Sequence, residues 1–349
     1  MAQITPFTNM PNNSSELPFI SILVMGYNQG EFMRTCAASV LSQQYEGKLE
    51  IIFCDDCSTD NTFEIMQELA TAYKGPHKVI IHRCPVNGKV AVNMNVAVSL
   101  SHGDWLMRVD GDDILHPDRA KLTAHAICKY PNATAISGKL QPFETQPEEV
   151  QNPTPEQLEY IVADRSDYVT GKATVKGIQW WGCMMTVSRR IFSEFGDLPP
   201  ACGIMDDTFF ASRALMLGQF VIIRNGYLLY YRRHSGNISS FRSKKDSITQ
   251  LIKADHACRD YYKRSLHCHA PILQELELYT ATHPDCKGLL EYFRTYLAER
   301  ERQALFWEKS WKERIADADI KGAWWRKIPW ALRTLCPFTW ALAKKWGKH

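Results

Sequence analysis

The sequence lacks the features that would mark a membrane span, a secreted disulfide scaffold or a dehydrogenase. No run of about 18 apolar residues is free of charge and proline, so no helix is expected to span a bilayer. The opening residues, MAQITPFTNMPNNSSELPF, have no basic-then-apolar secretory layout, and the eleven cysteines are scattered. A reducing cytoplasm is therefore the expected compartment. The one close pair, Cys54 and Cys57 in CDDC, has no second CxxC or spaced histidine pair to complete a zinc site, and reads as a strand-end thiol beside a loop thiol. Strong charge of one sign is also missing. A net charge of +3 and a pI near 8.2 give no case for a nucleic-acid binder. Neither GxGxxG nor GxxxxGK(S/T) follows the first apolar run, which weakens dehydrogenase and P-loop readings, and no internal repeat is visible.

What is present is a chain of 349 residues, 45% hydrophobic, long enough for one large domain or two smaller ones around a sizeable core. FISILVMGY (19–27) is an apolar run of strand length, of the kind a parallel strand buried on both faces shows. It ends at the turn NQG. Apolar residues then recur at helical spacing from Phe32 to Leu41, and LEIIFCDD gives a second strand. A helix around Phe63, Met66, Leu69 and Tyr73, the strand KVIIHRC, a helix near 91–101 and the strand WLMRVD continue the alternation. Repeated βα units predict an α/β fold with a doubly wound, mostly parallel sheet, whose ligands lie beyond the carboxyl ends of the strands. GYNQGE, CDDCSTDNT and DGDD all fall at such ends.

Further along, 141–180 is polar and weakly periodic and is expected to run over the surface near an acceptor site. GCMMTVSRRIFSEFG reads as a strand and a short helix. MDDTFFASRALMLGQF reads as a helix that opens on two carboxylates and ends near Gly218, before the strand FVIIR. Residues 245–316 are mostly helical by pattern and read as an appended subdomain.

Asp110, Asp112 and Asp113 cannot all be ionised side by side without a cation or a strongly solvated loop. DGDD lacks the spaced ligands and distal Glu of an EF-hand. Carboxylates at successive strand ends suit a hard divalent cation, Mg²⁺ or Mn²⁺, bridging a diphosphate.

Five stretches in one order, ISILVMGYNQGEFMRTCAASVLSQQY, EIIFCDDCSTDNT, GDWLMRVDGDDILHPDR, MDDTFFASRALMLG and YYRRHSGNIS, resemble the family 2 glycosyltransferases of the GT-A fold over roughly residues 18–240. The resemblance implies that Tyr27 lies against the nucleotide base and that Asp56, beside Asp55, accepts a hydrogen bond from it. It implies that Asp110 and Asp112 address the ribose and the metal-bound diphosphate, that Asp113 is a further ligand, and that His234 approaches the metal or phosphates. Which of the three carboxylates touches the metal is left open by the sequence. Arg232 and Arg233 would assist the leaving diphosphate. Asp207 would be the general base that deprotonates an acceptor hydroxyl, supported by Asp206, with Arg213 positioning the helix; a base opposite the leaving group gives one in-line displacement with inversion. Many relatives carry an Arg in xARNxG where this chain has Met94 in VAVNMNVA, and Lys89 is the nearby substitute. Asp56 suits a pyrimidine imide, which favours UDP or dTDP.

Lys321 to His349 carries seven Lys or Arg residues, no Asp or Glu, and Trp324, Trp325, Trp330, Trp340 and Trp346. Two readings stand: attachment to an anionic inner membrane face, or packing on the catalytic domain or a second subunit. The expected organisation is an N-terminal tail (1–17), a GT-A domain (18–240), a helical extension (241–319) and the basic Trp-rich tail (320–349). The expected function is a metal-dependent, inverting transferase that moves a sugar from a nucleotide diphosphate to a hydroxyl of a glycan or lipid-linked saccharide in bacterial surface polysaccharide assembly. Rival readings are a non-catalytic nucleotide-binding scaffold and a sugar nucleotidyltransferase, the second weakened by the missing Gly-rich signature loop.

Overall fold

The computed structural model describes residues 16–169, 180–237, 260, 261 and 263–305. Its first half follows the alternation read from the sequence: β1 (Ile20–Gly26), α1 (Gly30–Leu41), β2 (Leu49–Asp55), α2 (Thr62–Ala72), β3 (Lys78–Arg83), α3 (Lys89–Leu100) and β4 (Trp105–Asp110). These strands are parallel in the order β3-β2-β1-β4. All seven residues of β1 and of β2 are buried, because helices cover both faces; this is why these strands are continuous apolar runs without alternation. Chain direction across the sheet reverses between β1 and β4, which opens a crevice at their carboxyl ends. Register puts the motifs together there: Gly26 pairs with Asp55, and Met25 pairs with Asp110.

The second half is mixed. It contains β5 (Ile114–Leu115), α4 (Arg119–Lys129), β6 (Ala133–Phe143), β7 (Tyr160–Ala163), α5 (Arg165–Val169), β8 (Thr186–Ser188), α6 (Arg190–Phe195), α7 (Asp206–Leu217) and β9 (Gln219–Arg232). β8 enters antiparallel between β4 and β6, β9 lies parallel to β6, and β5 and β7 both pair with β9. The doubly wound α/β expectation therefore holds, with an antiparallel insertion. Two local differences have physical causes. The region 141–180 is only partly a surface excursion, because the edge strand β7 pairs with Phe220–Ile223. The strand begun at FVIIR continues through Asn225–Gly226, a dipeptide that reads as a turn; here the Asn225 side chain accepts from Glu159 N at 2.9 Å and donates to Gln157 O at 3.0 Å, so it acts as a strand partner.

Two further helices, α8 (His269–Thr282) and α9 (Lys287–Leu305), lie in the expected extension. One core, on the α3 face of the sheet, joins Leu23 and Leu106 to Phe209 and Phe210 of α7 and to Ile272, Leu276, Phe293 and Leu297 of α8 and α9. The other face packs Met33, Val40, Ile65, Met66, Leu122 and Ala126 over Ile22, Val24 and Val109. Fully burying each such side chain is worth about 1.5–3 kcal/mol. Among the described residues no helix is long and apolar enough to cross a membrane. The basic Trp-rich tail lies outside the described residues.

Candidate active site

The first part of the candidate site is built from three strand ends. Tyr27 follows β1 and is 45% exposed, and Asn28 takes a left-handed conformation with φ 50°. Its side-chain oxygen accepts from Thr59 N at 2.8 Å, which ties this turn to the CDDCSTD loop. Asp55 is fully buried and committed to that loop: it accepts from Ser58 N at 2.9 Å and from the Ser58 hydroxyl, with Arg83 Nε 3.5 Å away. Asp56 hangs off the strand through its own N–H to Gly26 O at 2.8 Å and accepts from Gly88 N at 2.7 Å. Burial pushes its pKa up, partly opposed by the Gly88 and Lys89 amides and the Lys89 charge. Lys89 is thus brought beside Asp56, at the exposed start of α3 with φ 66°. Met94 faces the core and is 1% exposed.

The acidic turn after β4 is held tightly. Gly111 donates to Met25 O at 2.9 Å, and a Cβ there would press on the ends of the Met33 and Gln29 side chains and come within 3.1 Å of that carbonyl, so glycine lets the turn lie close against β1. Asp110 accepts from Arg108 Nη2 at 2.8 Å. Asp112 Oδ2 lies 2.9 Å from His234 Nε2, whose ring packs on Phe32 with centroids 4.5 Å apart. Asp113 is fully buried; Oδ1 accepts from Arg232 N at 2.9 Å and Oδ2 has no hydrogen-bond partner. Burial first, then the charges of Asp112 and Asp110, push Asp113 well above the usual carboxylate range. Burial likewise raises Asp110, with Arg108 opposing it.

These groups fit a hard cation. Asp113, which carries the orphaned, buried oxygen, converges with the Asp110 carboxylate, while Asp112 and His234 form a separate pair from the same turn; a divalent ion would relieve the repulsion among these carboxylates. Cys183 Sγ lies within 4.8 Å of Asp110 and Asp113 oxygens. Burial pushes that thiol well above its ordinary pKa, and a neutral thiol suits Mg²⁺ or Mn²⁺ poorly.

Arg232 is 7% exposed and sits beneath the acidic turn, Nε on Asp112 O at 2.9 Å and Nη2 on Thr35 Oγ1 at 3.0 Å, with its guanidinium between the Phe32 and Phe143 rings. It braces the turn. Arg233 lies 3.6 Å from Glu144.

Asp206 and Asp207 open α7 as the sequence predicts. Arg213, fully buried, ties this helix to α8 through a two-pronged pair with Glu275 at 2.9 and 2.8 Å and donates to Gly196 O at 2.8 Å. Asp206 is buried against Arg108. Asp207 remains partly exposed; burial, then the Asp206 charge, push its pKa up to about 7, opposed by Arg300 and Arg108. A carboxyl poised near neutrality is what a general base needs.

Several residues of this site were not foreseen. Arg108 is the charged residue inside WLMRVD, and that anomaly was the available signal. Trp180 and Gly182 precede β8; a Cβ on Gly182 would meet Asp207 Cβ at 3.5 Å. Tyr261, Tyr296 and Arg300 from the C-terminal segment lie around Asp207. Tyr261 donates to Ile204 O at 3.4 Å, Tyr296 meets Trp180 edge-on at 5.6 Å, and Arg300 lies 4.4 Å over the Tyr296 ring.

The family model for glycosyl transferase family 2 matches residues 21–195, half of the chain. The chain belongs to glycosyl transferase family 2. Family members that it resembles include the chondroitin synthase of Pasteurella multocida, 37% identical over 106 residues, which are 30% of this chain and 10% of that protein. An uncharacterised glycosyltransferase of Haemophilus influenzae is 25% identical over 259 residues, covering 71% of this chain and 78% of the relative. The chain spans about a tenth of the length of the chondroitin and hyaluronan synthases it matches. Among solved structures, S. aureus TarS 1-349 in complex with UDP-GlcNAc aligns with a TM-score of 0.54 at 15% identity, over 93% of this chain and 81% of that one. The mannosyltransferase PcManGT of Pyrobaculum calidifontis, in complex with GDP-Man and Mn²⁺, aligns with a TM-score of 0.50 at 15% identity, over 99% and 92%. These likenesses establish the GT-A fold of the chain.

Proposed function

We propose that this family 2 member is an inverting glycosyltransferase that moves a sugar from a nucleotide diphosphate to an acceptor hydroxyl. The observation that carries the reading is a poised carboxyl, Asp207, at the start of α7, set across a single guanidinium from an acidic turn fit for a cation and a diphosphate. Tyr27 would stack on the base and Asp56 would accept from a pyrimidine imide, so UDP or dTDP is the favoured donor class. Asp110 would address the ribose. Asp112, Asp113 and His234 would hold Mn²⁺ or Mg²⁺, which when bound supplies neutralisation of the charge developing on the leaving diphosphate. Lys89, and Arg233 near the end of β9, are the cations placed to approach the nucleotide. Asp207 would take the acceptor proton as the hydroxyl attacks from the face opposite the nucleotide, and Asp206 would hold the α7 terminus against Arg108.

The acceptor class is a glycan or a lipid-linked saccharide of a bacterial polysaccharide, a reading supported by the chondroitin and hyaluronan synthases at 36–37% identity. The tail from Lys321 would bring the enzyme to an anionic membrane face from the cytoplasmic side. Liposome flotation checks this: the full chain floats and a chain ending at Asp319 does not, and equal flotation of the two would sink the idea.

A thermal-shift panel tests the central reading with UDP, dTDP, GDP and CMP, each with Mn²⁺, Mg²⁺ or EDTA. A ligand at a hundred times its dissociation constant adds about 2.7 kcal/mol to stability. A metal-dependent shift with UDP or dTDP is expected. No shift with any nucleotide would overturn the donor assignment.

A further inference from the structure

We propose that Arg108 is a positioning residue that couples the two halves of the site, gripping Asp110 of the donor side and Asp206 of the base side with the two arms of one guanidinium. Strand β4 sends Leu106, Arg108 and Asp110 to one face and Met107 and Val109 to the other. Leu106 lies in the core shared with α7, and Met107 and Val109 lie in the opposite core. An apolar residue at 108 would continue that pattern. Instead a guanidinium is buried there, 8% exposed, a placement that costs free energy unless its charge is matched.

The matching is two-sided. Nη2 donates to Asp110 Oδ1 at 2.8 Å and Nη1 pairs with Asp206 Oδ2. The residue is fixed at its root as well: its N–H donates to Met185 O at 3.2 Å, and its carbonyl accepts from the buried Arg119 at 2.9 Å. Space for the fork is provided by Gly182, where a Cβ would come within 2.2 Å of Nη1. A guanidinium is planar and rigid, so the arm on Asp110 and the arm on Asp206 cannot move independently.

The consequence is a linkage. A change in what holds Asp110, such as a ribose or a cation, changes the grip on Asp206, whose neighbour is the base. By the same linkage, a change at Asp206 is expected to alter nucleotide affinity through Arg108. The inference rests on the donor reading above, which places the nucleotide at Asp110.

Isothermal titration of UDP with Mn²⁺ into wild type, Asp206→Asn, Arg108→Gln and the double variant tests it, with melting temperatures recorded for each. Asp206→Asn leaves the guanidinium to Asp110 alone and draws that carboxylate away from the nucleotide. Affinity is expected to fall about 3- to 10-fold, and by less than about 1.5-fold when the same change is made in the Arg108→Gln background. Gly182→Ala, whose methyl displaces Nη1, should reproduce the Asp206→Asn loss, and it replaces Arg108→Gln in the cycle if that variant does not fold. An affinity within about 1.5-fold of wild type for Asp206→Asn, or an equal loss with and without Arg108, overturns the coupling. Wild-type binding without the Asp206 effect refutes the coupling alone. Failure of the wild type to bind any nucleoside diphosphate refutes the donor reading and the coupling together.

Discussion

Replacing Asp207 by Asn should make the protein more stable at neutral pH while removing its chemistry. Folded Asp207 keeps its proton up to about pH 7, whereas the unfolded carboxyl releases it near 3.8. Between those values the folded chain binds more protons than the unfolded one, so this group makes stability fall as pH rises. At about 1.4 kcal/mol per pKa unit the ceiling is about 4 kcal/mol. The partial exposure of Asp207 leaves it some hydration, and roughly 1–3 kcal/mol is the expected cost above pH 7. Asn cannot ionise and escapes that cost. Its amide oxygen can still accept from the Thr208 hydroxyl, which donates to Asp207 Oδ1 at 3.2 Å. Urea denaturation of wild type and Asp207→Asn in EDTA should therefore give curves that nearly coincide at pH 4 and separate progressively to pH 8, with the variant the more stable. Transfer, or hydrolysis of the responding nucleotide sugar, should fall by about 10²- to 10⁴-fold in the same variant. In wild type the rate should rise with pH through about 7, as the base ionises. A stability difference that does not change between pH 4 and pH 8 would refute the strained-base argument, and near-wild-type turnover would remove Asp207 from the chemistry.

Asp112→Asn should weaken Mn²⁺-dependent nucleotide binding at least tenfold by titration calorimetry, because the Asp112–His234 pair at 2.9 Å loses its charge; unchanged affinity would place the cation elsewhere. Arg300→Leu removes the largest opposing influence on Asp207, so its pKa rises further and the acidic limb of the kcat/KM profile moves to higher pH; an unmoved limb would show that Arg300 does not act on the base. Gly111→Ala should cost roughly 1–3 kcal/mol by urea denaturation, since its methyl meets Gln29 Oε1 and the Met25 carbonyl, and a neutral result would mean the turn can relax away from β1.

How much of this was legible in the sequence depended on where each partner lies in the chain. The parallel strands β1, β2 and β4 were readable because burial on both faces leaves continuous apolar runs, and their register alone brings Tyr27, Asp55 and Asp110 to one edge. Asp206 and Asp207 were readable as a helix start. The antiparallel insertion was harder: β8 has three residues and β7 four, too few for periodicity to declare itself, and Asn225–Gly226 carries a turn signal inside a strand. Arg108 was visible as an oddity but not as a bridge, because Asp206 is 98 residues away in sequence. Arg232 looked like a diphosphate contact from its neighbours in YRRHSGN, and only packing between Phe32 and Phe143 shows it turned beneath the acidic turn.

The division of the chain also orders what each perturbation should do. The segment matched by the family, 21–195, contains the donor strand ends Tyr27, Asp56, Asp110, Asp112 and Asp113 together with Arg108. Asp207, His234, Tyr261, Tyr296 and Arg300 all lie beyond it, and the last three reach the base from a segment whose helices share a core with α7 through Phe210, Ile272 and Phe293. Apart from Arg108, Asp207 is therefore set by contacts made late in the chain, and the acidic turn by contacts made early, apart from His234 and Arg232. Changes confined to the first group should act on nucleotide affinity. Changes in the C-terminal helices should leave nucleotide affinity in place and act on the pH dependence and acceptor dependence of transfer. Arg108, through two nitrogens of one side chain, touches both Asp110 and Asp206, so its replacement should act on both.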